Sequence, residues 1–186
     1  MDLYVVRHGQ TEENKVSMMQ GNMDTLLNET GRNQALEARK KLDGVKIDLI
    51  ISSPKKRALE TAQIISNGEV PIITDDRLLS RDHGEFEGKT RYEVDLEDYW
   101  NIKINRQYER AESVGHMFER IDSLLKDIKK NYSDKTVLIA THSGICRILY
   151  YYFNGIPESG SLLEYESTNC SLEKYELEEN RENIIS

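Results

Sequence analysis

Three short apolar runs constrain this chain most, because each ends abruptly in residues that carry chemistry. Residues 3–6 run straight into Arg7-His8-Gly9, residues 47–51 into Ser52-Ser53-Pro54, and residues 136–140 into Thr141-His142-Ser143-Gly144. Runs this short, the first apolar throughout and the others nearly so, suit strands buried on both faces. A shorter run at 70–73 reads as a further strand, and residues 171–177 as an edge strand.

Helical patterns fill the intervals. Residues 34–42 are strong helix formers that stop near Gly44. Ser52-Ser53-Pro54 reads as a helix start running through Arg57, Ala58, Thr61 and Ala62 to about Ser66. Residues 80–91, with two glycines and many charges, read as a loop. Further helices are expected over 90–108, 113–130 and 145–153; in the second, Phe118, Ile121, Leu124, Leu125 and Ile128 keep helical spacing. Alternating strands and helices predict an α/β fold: a three-layer α/β/α sandwich with a mostly parallel sheet. We expect a single domain over 1–186, with a small helical cap inserted at about 76–115 and a polar, frayed tail after Glu178.

Within such a sheet, ligands bind outside the carboxyl ends of the strands. If the three strands are parallel neighbours, His8, His142, Arg7 and Arg57 meet at one edge. Arginine grips phosphate oxygens through a planar fork of donors and keeps its charge. Histidine serves as nucleophile or proton carrier. Gly9 and Gly144 let the backbone approach an anion closely. The formal net charge of −8 over 186 residues sharpens the point, since an anionic substrate needs locally gathered positive charge. The same acidity argues against nucleic acid or an anionic membrane surface as the main partner. No apolar run approaches the roughly 20 residues of a bilayer span, and no signal-peptide pattern opens the chain, so a cytoplasmic location is expected. Cys146 and Cys170 form neither metal nor redox spacing and are expected as reduced core residues. Metal is not expected either, because HxH and HExxH spacings are absent and Arg7 beside His8 repels a cation.

Arg7-His8-Gly9-Gln10-Thr11-Glu12-Glu13-Asn14 resembles the RHG signature of the histidine phosphatase superfamily, the phosphoglycerate mutase-like proteins. Gln20-Gly21, Leu27-Asn28-Glu29-Thr30-Gly31, the segment from Ser52 to Ala62, Gly84-Glu85-Phe86-Glu87-Gly88 and Thr141-His142-Ser143-Gly144 are similar to later family blocks, in the family's order. The resemblance implies that His8 attacks phosphorus and that Arg7, Arg57 and His142 bind the phosphoryl oxygens. It gives Asn14, Gln20, Gly21 and Gly144 places around the phosphate, and it implies no cofactor.

One position departs from the family pattern. Ser80 stands where the resemblance places a glutamate that protonates the leaving group, and a serine hydroxyl is no acid at neutral pH. Asp82 is the nearest carboxyl that could replace it, with His83, Glu85 and Glu87 as further options and an enzyme without an acid as the other reading; apart from that role, His83 and His116 are expected at the surface. The function expected is hydrolysis of a small-molecule phosphomonoester through a phosphohistidine. A phosphoglycerate mutase-type transfer and a catalytically weakened phospho-ligand binding protein are the alternatives. The physiological substrate and the oligomeric state, monomer or homodimer, stay open.

Overall fold

A computed structural model describes residues 1–177; the expected frayed tail after Glu178 lies outside the described residues. The strands are β1 (Asp2–Arg7), β2 (Leu49–Ser52), β3 (Ile72–Thr74), β4 (Val137–Thr141) and β5 (Leu172–Glu176). They form one sheet in the order β3-β2-β4-β1-β5. β2, β3, β4 and β1 are parallel, and β5 joins the edge of β1 antiparallel. The three strands that end in Arg7-His8, Ser52-Ser53 and Thr141-His142 are therefore adjacent and end on the same side.

The helices are α1 (Glu12–Lys15), α2 (Glu29–Lys41), α3 (Lys56–Ser66), α4 (Leu96–Tyr99), α5 (Val114–Tyr132) and α6 (Ser143–Asn154). The pleat sends alternate strand residues to opposite faces. Leu3, Val5, Leu49, Ile51, Val137 and Ile139 pack with α5 and α6, whereas Val6, Ile50, Leu138 and Ala140 pack with α2 and α3. This is the expected three-layer arrangement. In α5, Phe118, Ile121, Leu124, Leu125 and Ile128 are all buried, each contributing about 1.5–3 kcal/mol through area removed from water. Cys146 and Cys170 are buried and form no disulfide.

Two helix expectations need correction. α3 starts at Lys56 rather than at the serines; the Ser53 hydroxyl lies 2.8 Å from His142 Nε2 and accepts from the Lys55 amide at 3.4 Å. No continuous helix spans 90–108. That stretch holds a single 3-10 turn (Arg91–Glu93), the four-residue α4 and irregular chain. Its own side chains take the backbone donors: Asp95 accepts from the amides of Glu97 and Asp98, and Asn101 from those of Lys103 and Ile104. Such local bonds compete directly with a helical ladder.

The loop after His8 lies backbone-on-backbone against the start of α2. A Cβ on Gly31 would sit 2.2 Å from the Gln10 carbonyl oxygen, and one on Gly9 would sit 2.4 Å from the Gly31 carbonyl oxygen. Gly31→Ala is accordingly expected to lower stability by about 1–3 kcal/mol through forced backbone displacement. Urea unfolding reads this directly, and an unchanged midpoint would contradict the close packing.

Candidate active site

At the carboxyl end of β1, β4 and β2 the chain leaves a pocket of about 400 Å³. His8 follows β1 with only 4% of its surface exposed. Its backbone is held on three sides: the amide donates to Thr141 O at 2.8 Å, Asn169 Nδ2 donates to its carbonyl at 3.0 Å, and the next amide, Gly9, donates to Thr61 Oγ1 at 3.1 Å. The His8 Nδ1 lies 2.7 Å from the Gly9 carbonyl oxygen. A carbonyl only accepts, so Nδ1 carries the proton and Nε2 keeps its lone pair.

His142 caps α6 at the end of β4, and its ring meets that of His8 edge-on with centroids 5.2 Å apart. Its Nε2 lies 2.8 Å from Ser53 Oγ, while Nδ1 is buried without a partner. Arg57, 1% exposed on α3, donates to Met23 O at 2.6 Å and to Gly21 O at 3.1 Å, which fixes the 21–23 turn. Arg7 donates to Ser167 O. Both guanidiniums also carry a buried Nε with no partner.

Burial among these cations sets the protonation states. His8 is held well below its ordinary 6.5 by desolvation first, then by Arg57 and Arg7. His142 is held down by desolvation, Arg57 and His8. Both imidazoles are neutral at pH 7. Desolvation brings Arg57 down to about 10, so it remains a cation.

The structure brings Arg7, His8, Asn14, Gln20, Gly21, Arg57, Ser80 and His142 to the wall of this one pocket. Asn14 does two things at once. It closes a capping box with Thr11, and its Oδ1 accepts from the Thr11 amide and from Asn169 Nδ2, which leaves its own amino group available. Gly21 holds φ +48°, and a Cβ there would lie 3.1 Å from His83 Cδ2. Two expected residues are elsewhere. Gly144 is not on the wall; its missing side chain makes room for Trp100, whose ring edge would lie 3.0 Å from a Cβ. Asp82 opens onto a second cavity shared with Arg110, Glu112 and Arg120, and its Oδ1 accepts from the Gly84 amide at 2.8 Å, so it does not reach the pocket. His83, expected at the surface, is buried and lines the pocket with Nδ1 2.7 Å from the Tyr99 hydroxyl.

Several wall residues escaped the sequence reading. Arg147 lies four residues after Ser143 on α6, a spacing that puts both on one face. Its Nε donates to Tyr165 O at 3.0 Å, and its guanidinium lies 4.6 Å from the Trp100 ring centre. Arg91 pairs with Glu166 across the mouth. Asn169, which steadies both His8 and Asn14, had no local signal at all. Among the described residues, no cluster of three or more His, Cys, Asp or Glu could hold a metal ion, and no helix is long and apolar enough to cross a membrane.

The family model described as the histidine phosphatase superfamily (branch 1) matches residues 3–186. Phosphoserine phosphatase 1 of Hydrogenobacter thermophilus is 30% identical over 191 aligned residues, covering 98% of this chain and 90% of its own. Glucosyl-3-phosphoglycerate phosphatase of Mycolicibacterium vanbaalenii is 32% identical, covering 83% and 75%. Among solved structures, Bacillus stearothermophilus YhfR superposes with a TM-score of 0.84 at 32% identity, covering 94% of this chain and 90% of that one.

Proposed function

The chain belongs to the histidine phosphatase superfamily, and on that premise we propose that it hydrolyses a small phosphorylated metabolite in the cytoplasm through a phosphohistidine on His8. One observation carries the reading: His8 spends its Nδ1 proton on Gly9 and keeps an unprotonated Nε2 on a ring set edge-on to His142, within reach of the charges of the buried Arg57 and the half-buried Arg7. The relatives named as phosphatases of phosphoserine and glucosyl-3-phosphoglycerate support a phosphatase reaction on a small phosphorylated metabolite; the leaving group this chain accepts follows from its own pocket. The absence of a membrane-spanning helix among the described residues is compatible with the location.

The chemistry follows from the placement. The phosphoryl group enters against His8 Nε2, and remaining guanidinium N–H groups of Arg7 and Arg57 bind its oxygens. His142 adds its Nδ1–H, provided the Ser53 hydroxyl donates into Nε2. The amino group of Asn14 is the further donor. Donors of this kind, fixed before the reaction, stabilise the charge spread over the phosphoryl oxygens in the transition state. Water then attacks phosphorus on the opposite side from Nε2 and releases phosphate. Gln20 and Gly21 shape the wall through which the substrate enters.

Mixing the enzyme rapidly with a phosphate ester labelled in its phosphorus and quenching in base should trap label on the protein. That label should be stable in base, labile in acid, and map to the peptide carrying His8. An acid-stable label would place the phosphoryl group on oxygen and end the proposal. A phosphoglycerate mutase-type transfer would instead return the label to a second hydroxyl of the substrate rather than to water, which the same experiment resolves.

A further inference from the structure

We propose that this enzyme removes phosphate from substrates whose leaving group departs as a stable anion, such as acyl phosphates and phosphate esters of acidic hydroxyls, rather than from phosphates of ordinary alcohols. The inference rests on the phospho-His8 reading and adds to it the chemical class of the bond broken.

Among the described residues that line the pocket, none presents a group able to deliver a proton at neutral pH. Among the described residues on its wall, Glu166 is the one carboxylate, and it pairs with Arg91. That bond, ahead of a smaller opposing desolvation, holds it below the usual carboxylate range and keeps it ionised. Asp82 opens onto the second cavity and is bonded to the Gly84 amide. Ser80 stands between the two cavities and lines both, and it brings a hydroxyl where a carboxyl would be needed. The remaining proton carriers are His83 and His142. Both are buried beside arginines and stay neutral, His83 pushed down to about 3 by desolvation with Arg81 and Arg57. In compensation the pocket is rich in positive charge: Arg7, Arg57 and Arg147 all lie on its wall. Such a site favours an anion and cannot protonate one.

The steps balance without a donor. The His8 Nε2 lone pair forms the N–P bond while the P–O bond to the leaving group breaks, and that electron pair leaves on the oxygen as carboxylate or aryloxide. Water then forms a new O–P bond, the N–P pair returns to Nε2, and both water protons leave on dihydrogen phosphate. No proton is required by the departing oxygen.

The test compares kcat/KM for acetyl phosphate, para-nitrophenyl phosphate, phenyl phosphate and glycerol phosphate in wild type, His8→Ala, Asp82→Asn and Glu166→Gln. A positioned acid is worth about 10²–10⁴-fold, so glycerol phosphate should fall more than about 100-fold below para-nitrophenyl phosphate in wild type. Asp82→Asn and Glu166→Gln should leave that ratio unchanged. A ratio within about 100-fold in wild type, or a gap that widens in either carboxylate variant, would overturn the inference by revealing a donor. A shallow profile that vanishes in His8→Ala would overturn the inference alone. Turnover surviving in His8→Ala would bring down the phospho-His8 route and the inference with it.

Discussion

His8→Ala is expected to cut phosphate release from para-nitrophenyl phosphate by at least about 10⁴-fold, the scale on which removal of a covalent nucleophile acts. No neighbour can substitute. His142 has its Nε2 engaged with Ser53 and its ring set edge-on to His8, and Arg7 and Arg57 are cations without a lone pair. The fold should survive, because the His8 backbone bonds to Thr141 and Asn169 do not involve its ring. Binding should survive as well. Arg7, Arg57 and His142 remain, so inorganic phosphate should still raise the urea midpoint of the variant. Turnover above about 1% of wild type in a folded, phosphate-binding variant would remove His8 as the nucleophile, since binding alone would then account for the rate.

The part of this site that could be read in the sequence is the part built by strand ends. Each of Arg7, His8 and His142 stands at the end of a buried apolar run, so the rule that strands deliver residues to one edge was enough to gather them, whereas Ser53 was read only as a helix cap. Arg57 came with them because it lies in the first turn of the helix after β2. The core of α5 was equally legible, since a 3.6-residue period survives any context. What stayed hidden depends on non-local packing or on single hydrogen bonds. Asp82 and His83 are neighbours, yet one turns out to cap Gly84 and the other turns in to Tyr99; no pattern distinguishes them. Arg81 looked like one charge among many, but it is 1% exposed, stacked 3.5 Å over the Tyr99 ring centre and bonded to the carbonyls of Tyr99 and Glu112. The aromatic residues of 99–108 therefore pack around a buried guanidinium, which composition alone cannot show. Asn169 reaches His8 across 161 residues of chain.

The same burial that keeps the histidines neutral should make the fold acid-sensitive well above the carboxylate range. His8, His83 and His142 are all held below their ordinary 6.5, with desolvation the first cause in each. The groups facing them are mainly cationic, Arg7, Arg57, Arg81 and Arg120, with Glu112 opposing weakly near His83. Unfolded, the three imidazoles take up protons at about pH 6.5; folded, they do not until the pH is far lower. The unfolded state therefore binds more protons below 6.5, and stability present above that pH is lost as the pH falls. Each proton is worth about 1.4 kcal/mol per pH unit, so the three together remove on the order of 4 kcal/mol per unit below pH 6. Set against a typical total of about 5–15 kcal/mol, a loss on that scale should be plain by about pH 5, before most carboxylates titrate. Glu112 and Asp75, both held below the usual carboxylate range, titrate later and leave the window from 6.5 to 5 to the histidines. Urea midpoints should be taken at pH 7.5, 6.5 and 5.5 in a buffer free of phosphate, because bound phosphate would stabilise the folded site and blunt the trend. A falling midpoint whose slope drops by about one proton in His83→Gln is the expected result. A midpoint flat from 7.5 to 5.5 would mean that the imidazoles accept protons while folded, and the neutral, lone-pair form of His8 on which the phosphoryl transfer depends would lose its physical basis.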